Sequence, residues 1–112
     1  MPNRATTEEI EAFLAEVREA ISCGRCIFVP RCKNKDSLAQ LGLTVSDALD
    51  EVKSLSISDY LKGPEPDYNP SEPDPIWAFV KNVEGHPFYI KAKVVQKQPS
   101  SAKVISFHIS EY

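Results

Sequence analysis

In the first half of the chain, apolar residues recur at the three- and four-residue spacing of amphipathic helices. From Thr7 to Cys23 this spacing predicts one helix. Thr6 and Glu9 can form a capping box at its start, and Gly24 is suited to end it. The predicted buried stripe consists of Ile10, Phe13, Leu14, Val17, Ala20 and Ile21.

Shorter apolar segments follow this helix. Ile27 to Val29 is predicted to be a short strand or an extended segment, and the proline that follows ends it. Lys35 to Leu41 has the pattern of a short helix closed by a glycine. Thr44 is a suitable cap for the next helix. The buried stripe of that helix should be Val45, Ala48, Leu49, Val52 and Leu55.

Strand-like alternation dominates the rest of the chain. Ile76 to Lys81, Phe88 to Val95 and Lys103 to Ile109 are predicted strands, joined by a Glu-Gly turn and a Gln-Pro-Ser turn. Ile57 to Leu61 is a further strand or the approach to one. The sequence therefore predicts a single α+β domain over residues 1–112, in which N-terminal helices pack on a mainly antiparallel C-terminal sheet.

The turns also predict how the strands pair. If each hairpin folds near the middle of its turn, Val80 lies opposite Tyr89, Ala78 opposite Lys91, and Tyr89 opposite His108. Because strand side chains alternate, two different faces result. The core face should contain Trp77, Phe79, Ile90, Ala92, Ile105 and Phe107. The opposite face collects Tyr89, Lys91, Lys93, Ser106 and His108.

Residues 63–75 interrupt the regular pattern with five prolines and four acidic residues. Such a segment neither continues a helix nor donates a full ladder of backbone hydrogen bonds. We expect a mobile surface loop there. A solvated connector, a lid and a partner-binding segment are all compatible with this composition.

Charge is divided unevenly along the chain, whose net charge is −3. Residues 1–75 hold eight Lys and Arg against fourteen Asp and Glu, a net charge of −6, whereas residues 76–112 hold five Lys against two Glu, a net charge of +3. The C-terminal part is therefore suited to face an anion, although a solvated basic surface explains the same charge.

The apolar runs and the cysteines bear on location. No apolar run approaches the roughly 20 residues that cross a bilayer, and Met1 to Arg4 leads into acidic residues instead of a hydrophobic signal. Three cysteines cannot all pair within one chain, which fits a reducing compartment. We therefore expect a cytoplasmic protein with no membrane partner.

Metal binding is the alternative use of these cysteines. Cys23, Cys26 and Cys32 have a spacing that holds zinc if His86 or His108 supplies a fourth ligand. Ordinary thiols at a helix end and on the following segment are the preferred explanation of the spacing. The acidic residues of the proline-rich segment are a poor magnesium cage, because that segment is not rigid. We therefore expect no metal and no cofactor.

The polar sheet face carries the residue types that metal-free RNA cleavage requires. That reaction needs a base for the 2′-hydroxyl proton, cations for the transition state and an acid for the leaving 5′-oxygen. An unperturbed histidine titrates at about pH 6.5 and so exchanges protons near neutrality. His108 fits the proton-transfer role, Tyr89 can donate a hydrogen bond or stack on a base, and Lys62 joins them if its segment is the neighbouring strand. Each residue also has a purely structural explanation.

Several motifs, taken in order, resemble the MqsR family of bacterial type II toxins. The resemblance runs from about Ile27 to Tyr112. It rests on Leu41-Gly42-Leu43-Thr44 with Asp47, Asp59-Tyr60-Leu61-Lys62-Gly63-Pro64-Glu65-Pro66-Asp67, Ile76-Trp77-Ala78-Phe79, Tyr89-Ile90-Lys91 and Val104-Ile105-Ser106-Phe107-His108. It implies a RelE-like α+β fold, endonuclease activity on mRNA and inhibition by a cognate antitoxin protein.

The resemblance also implies an active site. Lys62 and Tyr89 match family positions, whereas Ala78 stands where the best-known pattern has glutamine and His108 where it has lysine. We expect Lys62, Tyr89 and His108 to be catalytic. The predicted substrate-binding residues are Lys91, Lys93 and Ser106. Because Ala78 lacks the glutamine amide, a non-catalytic interaction module, or a degenerate toxin that binds a protein partner, is the alternative.

Overall fold

A computed structural model of the chain describes residues 4–110, so Met1 to Asn3, Glu111 and Tyr112 lie outside the described residues. The helices are α1 (Thr7–Ser22), α2 (Cys32–Leu41) and α3 (Val45–Lys53), followed by a 3₁₀ turn at Ile57–Asp59. The strands are β1 (Cys26–Phe28), β2 (Tyr60–Glu65), β3 (Ile76–Val83), β4 (His86–Val95) and β5 (Ser101–Ile109). The predicted α+β class is confirmed. No helix of the described part is long and apolar enough to span a membrane.

The five strands form one sheet in the order β1-β5-β4-β3-β2. Strands β2 to β5 pair antiparallel, and β1 pairs parallel with β5. The predicted register is confirmed at all three pairs, which are Val80 with Tyr89, Ala78 with Lys91, and Tyr89 with His108. The antiparallel meander therefore follows the sequence, and so do its two faces except at one position of β5.

Strand β2 extends further than the sequence indicated. The segment from Ile57 begins as a 3₁₀ turn and becomes β2, which runs through Gly63 and Pro64 to Glu65. The proline is tolerated because β2 is an edge strand with irregular pairing to β3, so one missing donor costs little. The proline-rich loop is therefore residues 66–75, and Lys62 lies within the sheet opposite Ala78.

A bulge changes one predicted core position. On β4 the successive residues Lys91 and Ala92 pair with Ser106 and Val104 of β5, so Ile105 has no partner. Ile105 is consequently only partly buried, and its assignment to the core is wrong. Val104 is fully buried in its place. The extra residue reverses the alternation of β5, which a register extrapolated from one turn does not detect.

Helix α1 packs on one face of the sheet, α3 packs against α1, and α2 lies along β5; together with the sheet they enclose a single cluster of buried residues. The predicted capping box of Thr6 forms at the start of α1, and Thr44 caps α3 as predicted, where Asp47 completes a second capping box. Phe13 of α1 stacks on Trp77 with ring centroids 4.7 Å apart, which fixes α1 against β3. Val45 is exposed, so its predicted place in the buried stripe of α3 is wrong; it occupies the first turn of the helix, outside the core.

Candidate active site

A pocket of about 730 Å³ lies on the sheet face opposite the main helical core. Tyr89 and His108 line it from the two central strands, Lys62 from edge strand β2, and Lys33 from α2. Leu61, Val80, Pro87 and Ser110 complete the lining. The three residues predicted to be catalytic, Lys62, Tyr89 and His108, therefore meet in one cavity.

Three rows of paired residues cross this polar face. The first row is Val80, Tyr89 and His108. The second row is Lys62, Ala78, Lys91 and Ser106. The third row is Lys93 and Lys103. Adjacent rows lie two residues apart along β4, a distance of roughly 6 to 7 Å.

His108 and Tyr89 are a direct cross-strand pair in the first row, with ring centroids 5.7 Å apart and ring planes inclined by 44°. The Nδ1 atom of His108 lies 3.0 Å from the carbonyl oxygen of Ile109. A carbonyl oxygen only accepts, so Nδ1 donates in this contact. In the neutral ring the second nitrogen, Nε2, then holds a lone pair and is able to accept a proton.

The second row supplies positive charge beside this pair. Lys62 is half exposed and lies 3.6 Å from a carboxylate oxygen of Glu65, an exposed pairing that contributes little. Lys91 is partly buried, and within residues 4–110 it forms no ion pair. Ala78 separates these two lysines and is 2% exposed. The row thus contains two cations with a gap between them.

The third row is covered by the proline-rich loop. Lys93 is fully buried, and its Nζ lies 2.7 Å from a carboxylate oxygen of Asp67 and 2.6 Å from the backbone oxygen of Glu72. Lys103 donates to the Glu72 carboxylate at 2.6 Å. Hydrogen bonds from these lysines hold the pKa of Asp67 and that of Glu72 below their ordinary values. Lys93 is therefore separated from the pocket and neutralised by the loop.

Two polar residues of α2 attach that helix to β5. The Asn34 side chain is fully buried, donates to the oxygens of Val29 and Ile105 and accepts from Phe107 N–H. Ser37 Oγ accepts from Ile109 N–H. Strand β1 pairs only with residues 102–104 of β5, so the later residues of β5 have no neighbouring strand on that side. The side chains of Asn34 and Ser37 form the hydrogen bonds that such a strand would form with their backbone groups. The start of α2 is thereby fixed next to His108.

This attachment brings in two cations that the sequence reasoning missed. Arg31 Nη1 lies 3.1 Å from Ser106 Oγ, and Lys33 lines the pocket. Ser106 itself is buried, so Arg31 and not Ser106 presents the exposed polar group at this position. Both cations are visible in the sequence, but the signal that locates them is Asn34, whose partners on β5 are remote in the chain.

The cysteines remain free thiols. Cys23 and Cys32 are exposed, and burial raises the pKa of the Cys26 thiol. Among the residues that the structure describes, no group of three or more His, Cys, Asp or Glu side chains is arranged to hold a metal ion. The zinc alternative thus has no geometric support within residues 4–110.

Comparison with protein families assigns the sequence to a known group. The family model of MqsR_toxin, described as "Motility quorum-sensing regulator, toxin of MqsA", matches residues 11–109. No curated protein and no solved structure gives a significant match. The matched segment includes α2, all five strands and the pocket residues Lys62, Tyr89 and His108. The chain therefore belongs to the MqsR toxin family and is the toxin member of a toxin–antitoxin pair.

Proposed function

We propose that the protein is the toxin of a type II toxin–antitoxin system and cleaves mRNA in the cytoplasm as a metal-independent endoribonuclease. One observation carries the proposal: Lys62, Tyr89 and His108 line a single pocket in a chain of the MqsR family. The proposed partners are the mRNA substrate and a cognate antitoxin, which the family description names as MqsA.

In the proposed reaction, Nε2 of His108 takes the proton of a ribose 2′-hydroxyl. The 2′-oxygen then attacks the adjacent phosphorus, so a 2′-oxygen–phosphorus bond forms as the bond to the 5′-oxygen breaks. The Lys62 ammonium protonates the leaving 5′-oxygen. The products are a 2′,3′-cyclic phosphate and a 5′-hydroxyl end. His108 releases its proton to solvent and Lys62 takes one back from solvent, so both residues return to their starting states.

Tyr89 and Lys91 assist this reaction in the proposal. The phenol of Tyr89, in the same row as His108, donates a hydrogen bond to a phosphate oxygen or stacks on a base. Lys91, two residues further along β4 and in the next row, balances the charge that develops on the phosphate. Lys93 and Ser106 are buried, so we assign them supporting roles, Lys93 by holding the loop and Ser106 by contacting Arg31.

Ala78 bears on sequence specificity. It lies between Lys62 and Lys91 and offers no hydrogen-bonding group where the best-known family pattern has glutamine. A site without such a group discriminates weakly between bases that stack equally well. We therefore propose cleavage with little base preference at this position, which mapping of the RNA ends will measure.

The ends of the products test the proposed chemistry. Purified protein is incubated with RNA in EDTA, in parallel with the same RNA carrying 2′-O-methyl groups. We expect cleavage of the unmodified RNA to 5′-hydroxyl ends and none of the methylated RNA. Absence of cleavage, or products with 5′-phosphate and 3′-hydroxyl ends, contradicts the proposal.

Ala78 also favours the alternative, a degenerate toxin that acts only by binding a protein. Expression of the chain with and without its neighbouring gene separates the two functions. Growth arrest that the neighbouring gene relieves supports the toxin. Absence of growth arrest together with absence of RNA cleavage supports the interaction module.

A further inference from the structure

The second row of the polar face continues beyond the sheet onto α2. Ser106 is directly paired with Lys91, and directly paired residues on one face have Cβ atoms roughly 4.5 to 5.5 Å apart. On its other side Ser106 contacts Arg31, whose Nη1 is 3.1 Å from the serine Oγ. Arg31 and Lys91 therefore flank one buried hydroxyl, one row away from Tyr89 and His108.

We propose that Arg31 and Lys91 form a second phosphate-binding site, which holds the phosphodiester next to the one cleaved over Tyr89 and His108. The proposal rests on the proposed function and extends it to the path of single-stranded RNA. The row spacing of roughly 6 to 7 Å is comparable with the step between neighbouring phosphates of an extended strand. One strand of RNA thus spans both sites without a bend.

Charge distinguishes this site from the rest of the face. Within residues 4–110, neither Arg31 nor Lys91 is paired with a carboxylate, whereas Lys93 and Lys103 are neutralised by acidic residues of the loop. The electrostatic attraction of an anion to the second row is therefore stronger than its attraction to the third row. The neutralised third row offers no net positive charge to a further phosphate, so the RNA path ends at the second row in this direction.

The chemistry of Arg31 suits a phosphate. A guanidinium has five N–H donors in a planar fork, which matches two phosphate oxygens at once. The contact with Ser106 uses one nitrogen and leaves donors for a ligand, because the side chain is exposed. Ser106 is thus a positioning residue that sets the direction of the fork.

The test compares Arg31→Ala with Lys35→Ala. Arg31 is the N-cap of α2, and Lys35→Ala removes the same charge from an exposed side chain within that helix. The probes are a cleavable RNA and a 2′-O-methylated single-stranded oligonucleotide. For Arg31→Ala we expect Kd and KM to rise about 10-fold, as for loss of a charged hydrogen bond, with kcat within about twofold. The slope of log Kd against log salt should fall by about 0.7, one single-strand phosphate contact. Lys35→Ala should change Kd and KM by no more than about twofold and should leave the salt slope unchanged.

The outcomes separate this inference from the proposed function. If the wild-type protein does not cleave RNA, the proposed function fails. If it does, but Arg31→Ala behaves like Lys35→Ala, the second site is overturned. Should Arg31→Ala lose its fold, Arg31→Gln keeps a donor for Ser106 and replaces it in the same comparison.

A double-mutant cycle tests the role given to Ser106. If the serine acts through Arg31, Ser106→Ala raises Kd, and the variant carrying both changes binds no more weakly than Arg31→Ala alone. Fully additive losses contradict the positioning role. A loss in Ser106→Ala that leaves the salt slope unchanged contradicts it as well, because a displaced guanidinium removes a phosphate contact.

Discussion

Asn34 accepts a hydrogen bond from the backbone N–H of Phe107 at 2.9 Å, although the two residues belong to a helix and to a strand far apart in the chain. Through the same amide it donates to Ile105, the bulged residue of β5. One buried side chain thus satisfies the irregular part of β5 and holds α2 beside the pocket.

Loss of this side chain should destabilise the fold. Asn34→Ala leaves two carbonyls and one N–H without their protein partner in a buried region, for which we expect a loss of about 2 to 4 kcal/mol in the free energy of unfolding. Urea denaturation measures it. Gln40→Ala, at an exposed position of the same helix, should change stability by no more than about 0.5 kcal/mol. Equal losses in both variants contradict this account of α2.

Gly63 should be irreplaceable because of both its backbone and its surroundings. Its φ is +125°, and a Cβ there lies 2.9 Å from the Ile76 oxygen and 3.0 Å from the Trp77 Cα. We expect Gly63→Ala to cost more than about 2 kcal/mol and to displace the adjacent Lys62, lowering the cleavage rate.

A second glycine provides the control for Gly63. Gly24 also has a positive φ, +75°, but nothing lies within 4 Å of an added Cβ. Gly24→Ala should therefore cost only the backbone strain, about 1 kcal/mol, without affecting the cleavage rate. If the two variants have similar urea midpoints and unchanged cleavage rates, the close approach of β2 to β3 at Gly63 affects neither stability nor the position of Lys62, which contradicts the prediction.

The attachment of the loop should weaken in acid. Asp67 and Glu72 have lowered pKa values because they accept hydrogen bonds from Lys93 and Lys103. Their contribution to stability is present above the unfolded pKa values of about 3.9 and 4.3, and is lost as the pH falls through the lowered folded values. Asp67→Asn with Glu72→Gln should destabilise the protein at pH 7, and its difference from wild type should shrink below about pH 4.

Glu11→Gln, on the exposed face of α1, is the control for the loop variant. Its stability relative to wild type should not change over the same pH range. The test is to measure the free energy of unfolding of wild type, the loop variant and the control at pH 7 and pH 3. A loop variant that is as stable as wild type at pH 7 indicates that these ion pairs do not hold the loop.

Local signals in the sequence predict much of the fold. The capping boxes, the helical spacing of α1 and the hairpin turns act over a few residues, and so they locate the helices and the register around Tyr89. The bulge at Ile105 escapes such reasoning, because it depends on how β5 meets both β4 and α2. Val45 escapes for a similar reason, since the first turn of a helix need not face the core.

The candidate site was predictable where it follows strand alternation. Tyr89, His108 and Lys62 meet because the register is simple and β2 is the neighbouring strand. The state of Lys93 was not predictable, because its partner Asp67 lies in a loop without regular structure. The position of Arg31 beside the pocket depends on the buried Asn34 amide, which attaches α2 to β5. The hydrophobic periodicity of the sequence does not predict this attachment.

The rate of RNA cleavage in EDTA by His108→Ala, relative to wild type, tests the central claim most directly. His86→Ala is the matched control, because His86 lies at the start of β4 and does not line the pocket. With folding of each variant verified by circular dichroism, we predict a loss of at least about 10²-fold for His108→Ala and less than about twofold for His86→Ala. Cleavage by His108→Ala at the wild-type rate contradicts the account.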